Sequence, residues 1–231
     1  MSENLAKLQE VIDRKFKNID NIYGRVLESI SDRDITFLEI GACDGVFPMD
    51  PLYPHSFTNK HWKGVLVEPI PYYFSKLKEN YENRDNLQFV NCAITEEDCT
   101  IKMHTMPTEL IEDGTVPYWS RGVSCVDPNN VKESIRGYLE EIDVEGITLE
   151  TLFERTQLTK IDVLQIDVEG YDHMILTKIF DLGHRPALIC VEYDHLPKEE
   201  YDSIIQQAEQ YEYEIQKSGG DFILMNGYYL D

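Results

Sequence analysis

Short apolar runs separated by helical periodicity set the ground plan of this chain. Ile35–Ile40, Gly64–Glu68, Leu87–Ile94, Ile161–Asp167 and Ala187–Tyr193 are apolar at successive positions. That pattern belongs to strands buried on both faces. Between them, apolar residues recur at three- and four-residue spacing over Tyr72–Tyr81, opened by Pro71, and over Leu149–Arg155, Asp172–Phe180 and Lys198–Gln210. These are helices. Tyr211–Gln216 and Phe222–Met225 flank Ser218-Gly219-Gly220-Asp221 and read as a hairpin. Strands alternating with helices and closed by a hairpin predict an α/β, Rossmann-like fold. Its sheet is mostly parallel and seven-stranded, with a C-terminal antiparallel hairpin.

Other segments are less regular. Leu5, Leu8, Ile12, Phe16 and Ile19, then Ile22, Val26 and Ile30, form one stripe across residues 3–30. Residues 1–34 are therefore expected to be an N-terminal helical extension, and 35–231 the main domain. Thr100–Thr105 reads as an edge-like strand, and Tyr138–Val144 alternates weakly. Residues 106–130 carry Pro107, Gly114, Pro117, Gly122, Pro128 and Asn129-Asn130. An irregular insert of that length binds something or moves. Ile-Asp-Val-Glu-Gly occurs at 142–146 and again at 166–170, but only the second copy follows a strongly apolar strand. The first is read as coincidence.

Composition narrows the function classes. The chain has 231 residues and a net charge of −22, from 43 acids against 21 bases. Lys and Arg are scattered, so repulsion disfavours nucleic acid and anionic membrane as partners. No apolar run is long enough to span a membrane. Met1-Ser2-Glu3-Asn4 lacks the basic-then-apolar order of a signal peptide, and a cytoplasmic location is expected. The five cysteines (43, 92, 99, 125 and 190) form no Cys-x-x-Cys pair. Free thiols in a reducing compartment fit that spacing.

The candidate chemistry lies where strands end. Phe37–Ile40 runs into Glu39-x-Gly41-x-x-x-Gly45, and Gly64–Val67 runs into Glu68-Pro69. Glycines let a backbone approach a ligand, and an acid ending the next strand accepts hydrogen bonds from ribose hydroxyls. Gly-x-Gly-x-x-Gly is absent, and so is a Gly-Lys-Ser/Thr loop, so nothing cradles a pyrophosphate. A ligand without phosphates and with a cationic amino group fits, which points to S-adenosylmethionine. At the end of a later strand, Ile166-Asp167-Val168-Glu169-Gly170-Tyr171-Asp172-His173 brings carboxylates to the crevice. Asp167 is suited to contact cofactor or acceptor, and Glu169 or His173 to take a proton. Glu192, Tyr193, Asp194 and His195 end the following strand and face the same crevice. With Asp167 and Glu169, Glu192 and His195 offer oxygen-rich ligands without fixed spacing, and no metal is assigned. His55 and His61 follow the glycine turn as surface histidines or as a cover.

In order, Glu-x-Gly-Ala-x-Asp-Gly, Val-Glu-Pro-Ile-Pro, Asn-Cys-Ala-Ile, Ile-Thr-Leu-Glu-Thr-Leu and Ile-Asp-x-Leu-x-Ile-Asp-Val-Glu-Gly-Tyr-Asp resemble the FkbM-type methyltransferases over about residues 36–193. The resemblance implies a class I methyltransferase fold and S-adenosylmethionine-dependent O-methylation of hydroxyls on sugars or other small molecules. It implies cofactor contacts from Ala42, Asp44, Pro69, Asn91 and Ala93, beside Glu39, Gly41, Gly45, Glu68 and Asp167. Trp119, Arg121 and Ser124 resemble the family's substrate side. Many relatives carry lysine where this chain has Gln165, so the acceptor or proton route can differ here. An N-methyltransferase and a non-catalytic S-adenosylmethionine-binding module are the alternatives.

Overall fold

The computed structural model describes residues 22–46, 50–194 and 196–226. The expected helix over residues 3–21 and the candidate His195 lie outside the described residues. Strand β1 (Thr36–Ile40) lies inside a sheet with β2 (Lys63–Val67) and β3 (Leu87–Val90) on one side. On its other side lie β8 (Val163–Ile166), β9 (Leu188–Glu192), β11 (Asp221–Met225) and β10 (Glu214–Ser218). β1 pairs in parallel with both β2 and β8, and β9 in parallel with β8. β11 runs antiparallel to β9 and to β10. This is the seven-stranded, mostly parallel sheet with a terminal hairpin that the apolar runs predict.

The strands are apolar throughout because both faces are covered. Leu38, Val65, Leu164, Ile189 and Leu224 pack on one side with α6 (Leu149–Thr156), α7 (Asp172–Asp181) and α8 (Lys198–Gln210). Phe37, Leu66, Val163, Leu188 and Ile223 pack on the other with α1 (Ile22–Ser29), Trp62 and α3 (Pro71–Asn80). Register sets Glu39, Gln165 and Cys190 side by side on this second face. Two polar side chains therefore interrupt an otherwise apolar row. A short helix, α2 (Tyr53–Thr58), follows the glycine turn. His55 stacks on Trp62 there, and His61 Nε2 lies 3.0 Å from the Arg33 carbonyl. Neither lines the central cavity.

The segment between β3 and β8 departs from expectation. The predicted strand Leu87–Ile94 breaks at Asn91-Cys92, and Ala93–Ile94 (β4) joins a second sheet. Asn91 causes the break by donating its side-chain amide to the Glu68 and Pro69 carbonyls, at 2.8 and 3.0 Å. The second sheet runs β4, β7 (Glu140–Ile147), β5 (Cys99–Thr105), β6 (Ser124–Cys125). The supposed edge strand over 100–105 is thus interior to its sheet. The first Ile-Asp-Val-Glu-Gly copy lies within β7, so it forms no strand-end loop. The stretch 106–130 is more ordered than its composition suggests. It contains α4 (Thr108–Glu112), turns at Tyr118–Ser120 and Pro128–Asn130, and β6. Met106, Val116, Cys125, Val131 and Ile135 form a small core of their own, the last of them in α5 (Glu133–Arg136).

Candidate active site

The carboxyl ends of β2, β1, β8 and β9 and the start of β11 open into one cavity of about 530 Å³, roofed by the insert. That is the place and the size of a ligand site in an open α/β sheet. No helix among the described residues is long and apolar enough to cross a membrane. Among the same residues no cluster of His, Cys, Asp or Glu is arranged to hold a metal ion.

The glycine turn is built for close approach. Gly41 and Ala42 both donate their N–H to the Val67 carbonyl at 3.0 Å, which pins the turn against β2. Gly41 has φ +91°, and a Cβ there would lie 1.8 Å from the Asp167 carbonyl oxygen. Only glycine lets β1 and β8 converge so closely at the crevice. Glu68 folds back over the turn. Its Oε2 accepts from Cys43 N–H and its Oε1 from Ile70 N–H, both at 2.8 Å. Burial raises its carboxyl to about 7 despite those two donors. Each oxygen keeps a second lone pair for a hydroxyl.

Of the residues expected at the cofactor, Gly41, Ala42, Glu68, Pro69, Ala93 and Asp167 line the cavity. Glu39, Asp44, Gly45 and Asn91 do not. Glu39 lies beneath the turn, 1% exposed. Gly45 receives the Tyr81 hydroxyl on its carbonyl at 2.8 Å, and Asn91 ties strand-end carbonyls. Asp44 pairs with Arg121. That ion pair gives Arg121 a partner in the turn, while its residue still borders the cavity. Gly122 N–H donates to the Tyr73 hydroxyl at 3.0 Å, so the insert is fastened over the turn. A second attachment brings Asn130 against the backbone of Glu169 and Gly170. Trp119, Ser124 and Glu192, the residues expected at the substrate side, also line the cavity. Trp119 is 40% exposed, with the Lys132 ammonium 4.4 Å above its ring.

The proposed proton acceptors separate. Asp167 and Glu169 line the cavity, whereas His173 does not. Its Nε2 faces Ser203 Oγ at 2.9 Å and Thr177 Oγ1 at 3.3 Å, in the seam between α7 and α8. As the second residue of α7 it projects toward α8 and away from the crevice, so His173 is corrected to a packing residue. Burial first, then the carboxylates of Asp172, Glu169, Asp221 and Asp50, holds Asp167 well above the usual range. Glu192 is pushed up to about 10, by burial and then by Asp167. Asp172 shapes the loop, accepting from Val168 N–H at 3.2 Å and Gly170 N–H at 3.0 Å. Glu169 takes a left-handed φ of +56° there, a strained conformation of the kind concentrated at functional sites.

Sequence reasoning missed Asp50 and Asp221, which line the cavity together with Asp194, one of the residues expected at the crevice after β9. Asp221 opens β11 opposite Glu192, a juxtaposition made by the sheet register. Asp50 follows the glycine turn directly before Pro51, and an acid at that place was the available signal.

The family model described as Methyltransferase FkbM domain matches residues 39–215. The chain belongs to the FkbM methyltransferase family. It is an S-adenosylmethionine-dependent methyltransferase, and S-adenosylmethionine is its cofactor. No curated protein matches the sequence significantly. Solved structures with some likeness to this FkbM-family chain are remote. The fibrillarin pre-rRNA processing protein of Methanococcus jannaschii is 14% identical, with 84% of this chain and 66% of that one covered and a TM-score of 0.43. Aeropyrum pernix fibrillarin, in complex with natively bound S-adenosylmethionine, is 11% identical at the same coverages and score. A precorrin-6Y C5,15-methyltransferase from Geobacter metallireducens is 10% identical, covering 88% and 84%, with a TM-score of 0.42. The chain spans about two thirds of the fibrillarins' length, 66%. No acceptor is carried over from any of them.

Proposed function

We propose that this FkbM-family enzyme methylates a hydroxyl on a small molecule or sugar. In this reading residues 35–231 are the catalytic domain, 1–34 an extension, and 106–130 the acceptor side. The observation that carries it is continuity. One cavity runs from Glu68 and Gly41 to Asp167 and Glu169, beneath Trp119. The residues present fit the cofactor, because the turn at Gly41 leaves no room for a side chain and Glu68 keeps acceptor capacity.

When bound, S-adenosylmethionine supplies a methyl group activated by its sulfonium. Glu68 would hold the ribose hydroxyls, and the backbone of Gly41–Cys43 the methionine end. Trp119 offers an apolar face to a ring-shaped acceptor, and the insert excludes water. Asp167 takes the proton from the acceptor hydroxyl, with Glu169 orienting it. Its raised proton affinity makes it a better base than an ordinary carboxylate. Holding the reacting groups in line supplies much of the remaining acceleration. An amine acceptor is the second reading, favoured by the acid-rich end of the cavity.

Two outcomes test this assignment. Glu68→Ala is expected to weaken S-adenosylmethionine binding by about 1–3 kcal/mol. Calorimetry showing unchanged affinity would remove Glu68 from the ribose site. Trp119→Ala is expected to spare cofactor binding and to lower turnover. The assay is release of S-adenosylhomocysteine across a panel of hydroxylated metabolites, with mass spectrometry separating O-methyl from N-methyl products. Normal turnover in Trp119→Ala would make the insert a structural loop only.

A further inference from the structure

Beneath the glycine turn, the polar row on the second face of the sheet has an unusual electrostatic arrangement. Asp50 Oδ1 accepts from Leu52 N–H at 2.8 Å and from Gln165 Nε2 at 2.6 Å. Burial first, then the neighbouring Asp50 carboxylate, holds the Glu39 carboxyl well above the usual range. Burial raises the Asp50 carboxyl above the usual range too, while the hydrogen bonds it accepts from Gln165 and Leu52 favour its charged form. No cation pairs with Asp50 among the described residues. Of the cavity's own cations, Arg121 is engaged by Asp44, and Lys132 stands over Trp119 at the roof.

The second observation is independent of the acids. Gln165 is 4% exposed and lines the cavity, and its Oε1 has no hydrogen-bond partner. The Asp50 contact fixes the orientation of its amide, because turning it over would set oxygen against carboxylate. A buried amide oxygen without a donor is costly. An anion and an unsatisfied acceptor, held side by side at the cavity wall, ask for a ligand that is both cationic and a multiple donor.

We infer that Asp50 and Gln165 form a binding subsite for a primary ammonium group. An ammonium has the charge that Asp50 lacks a partner for, and three N–H donors, enough for Asp50 and Gln165 Oε1 together. The subsite rests on the S-adenosylmethionine-dependent reading of the cavity. Two sources share this chemistry: the amino group of the cofactor's methionine moiety, and an amine on the acceptor.

The experiment compares binding of S-adenosylhomocysteine and its deamino analogue by calorimetry, in the wild-type protein and in Asp50→Asn and Gln165→Leu. Methylammonium is then titrated into each protein already bound to S-adenosylhomocysteine, with thermal unfolding as readout. If the cofactor supplies the ammonium, the wild type prefers S-adenosylhomocysteine over the deamino form by roughly 10–100-fold, and both variants lose that preference. If the acceptor supplies it, the wild type binds the two forms equally, and methylammonium stabilises the wild type but neither variant. Either result supports the subsite. A preference that persists in folded variants, together with no response to methylammonium, overturns it. Circular dichroism checks the fold, and Gln165→Leu carries the test alone if Asp50→Asn does not fold. Failure of the wild type to bind S-adenosylhomocysteine at all would bring down the cofactor site and the subsite together. That result is distinct from loss of amine discrimination alone.

Discussion

Asp167→Asn is expected to lower turnover by roughly 10²–10⁴-fold, the usual contribution of a positioned base. The substitution keeps the shape of the side chain and removes its charge. The backbone of Asp167 is already committed to structure: its N–H donates to the Ile40 carbonyl at 3.0 Å, and its carbonyl abuts Gly41. The carboxyl is thus free of any part in the sheet, and the fold should survive. Its environment suits proton transfer, since burial and four neighbouring carboxylates raise its affinity for a proton. Glu169→Gln is expected to have a smaller effect, because the role proposed for Glu169 is to orient the acceptor, not to take its proton. Both variants are assayed by S-adenosylhomocysteine release, with cofactor affinity measured separately. Wild-type turnover in both would place the base elsewhere, with Glu192 and Asp221 next among the cavity's carboxyls.

The largest structural effect is expected from Gly41→Ala. A side chain at φ +91° is strained at the outset, and its Cβ would sit 1.8 Å from the Asp167 carbonyl oxygen. The obstacle is backbone, not the end of a flexible side chain, so β1 and β8 must move apart. Strain and displacement together should cost more than about 3 kcal/mol of stability and abolish cofactor binding. Gly24→Ala in α1 is the control. A Cβ there meets nothing within 4 Å, and replacing a helical glycine should stabilise by about 0.5–1 kcal/mol. Urea unfolding of both variants and calorimetry with S-adenosylmethionine give the answer. A Gly41→Ala protein with native stability and native affinity would refute the close-approach argument.

Much of this site was legible because its parts lie at strand ends. Gly41, Glu68 and Asp167 each follow an apolar run, and in a parallel sheet such positions share one edge. Asp221 and Asp50 were not legible in the same way. Asp221 belongs to an antiparallel strand, so it reaches the crevice from its start, opposite Glu192. Asp50 comes from a connection and acquires its role only through Gln165 and Glu39. His173 misled because proximity in sequence to Asp167 is not proximity in space. His173 lies in the first turn of α7, with its ring toward Ser203 on α8. The insert was read as irregular because its apolar residues are spaced too widely to show a period, although they meet in one small core.

The order of strands and helices, the burial of both faces of the central sheet and the position of the glycine turn were determined by sequence alone. Local periodicity reports which faces meet apolar surroundings, and glycine reports where backbone must approach backbone. Tertiary structure alone decided the second sheet, the fastening of Arg121 to Asp44 and the pairing of Asp50 with Gln165. Each joins residues distant in the chain, with 115 positions separating Asp50 from Gln165. No local pattern encodes such a contact, because it exists only once the strands between them have found their register.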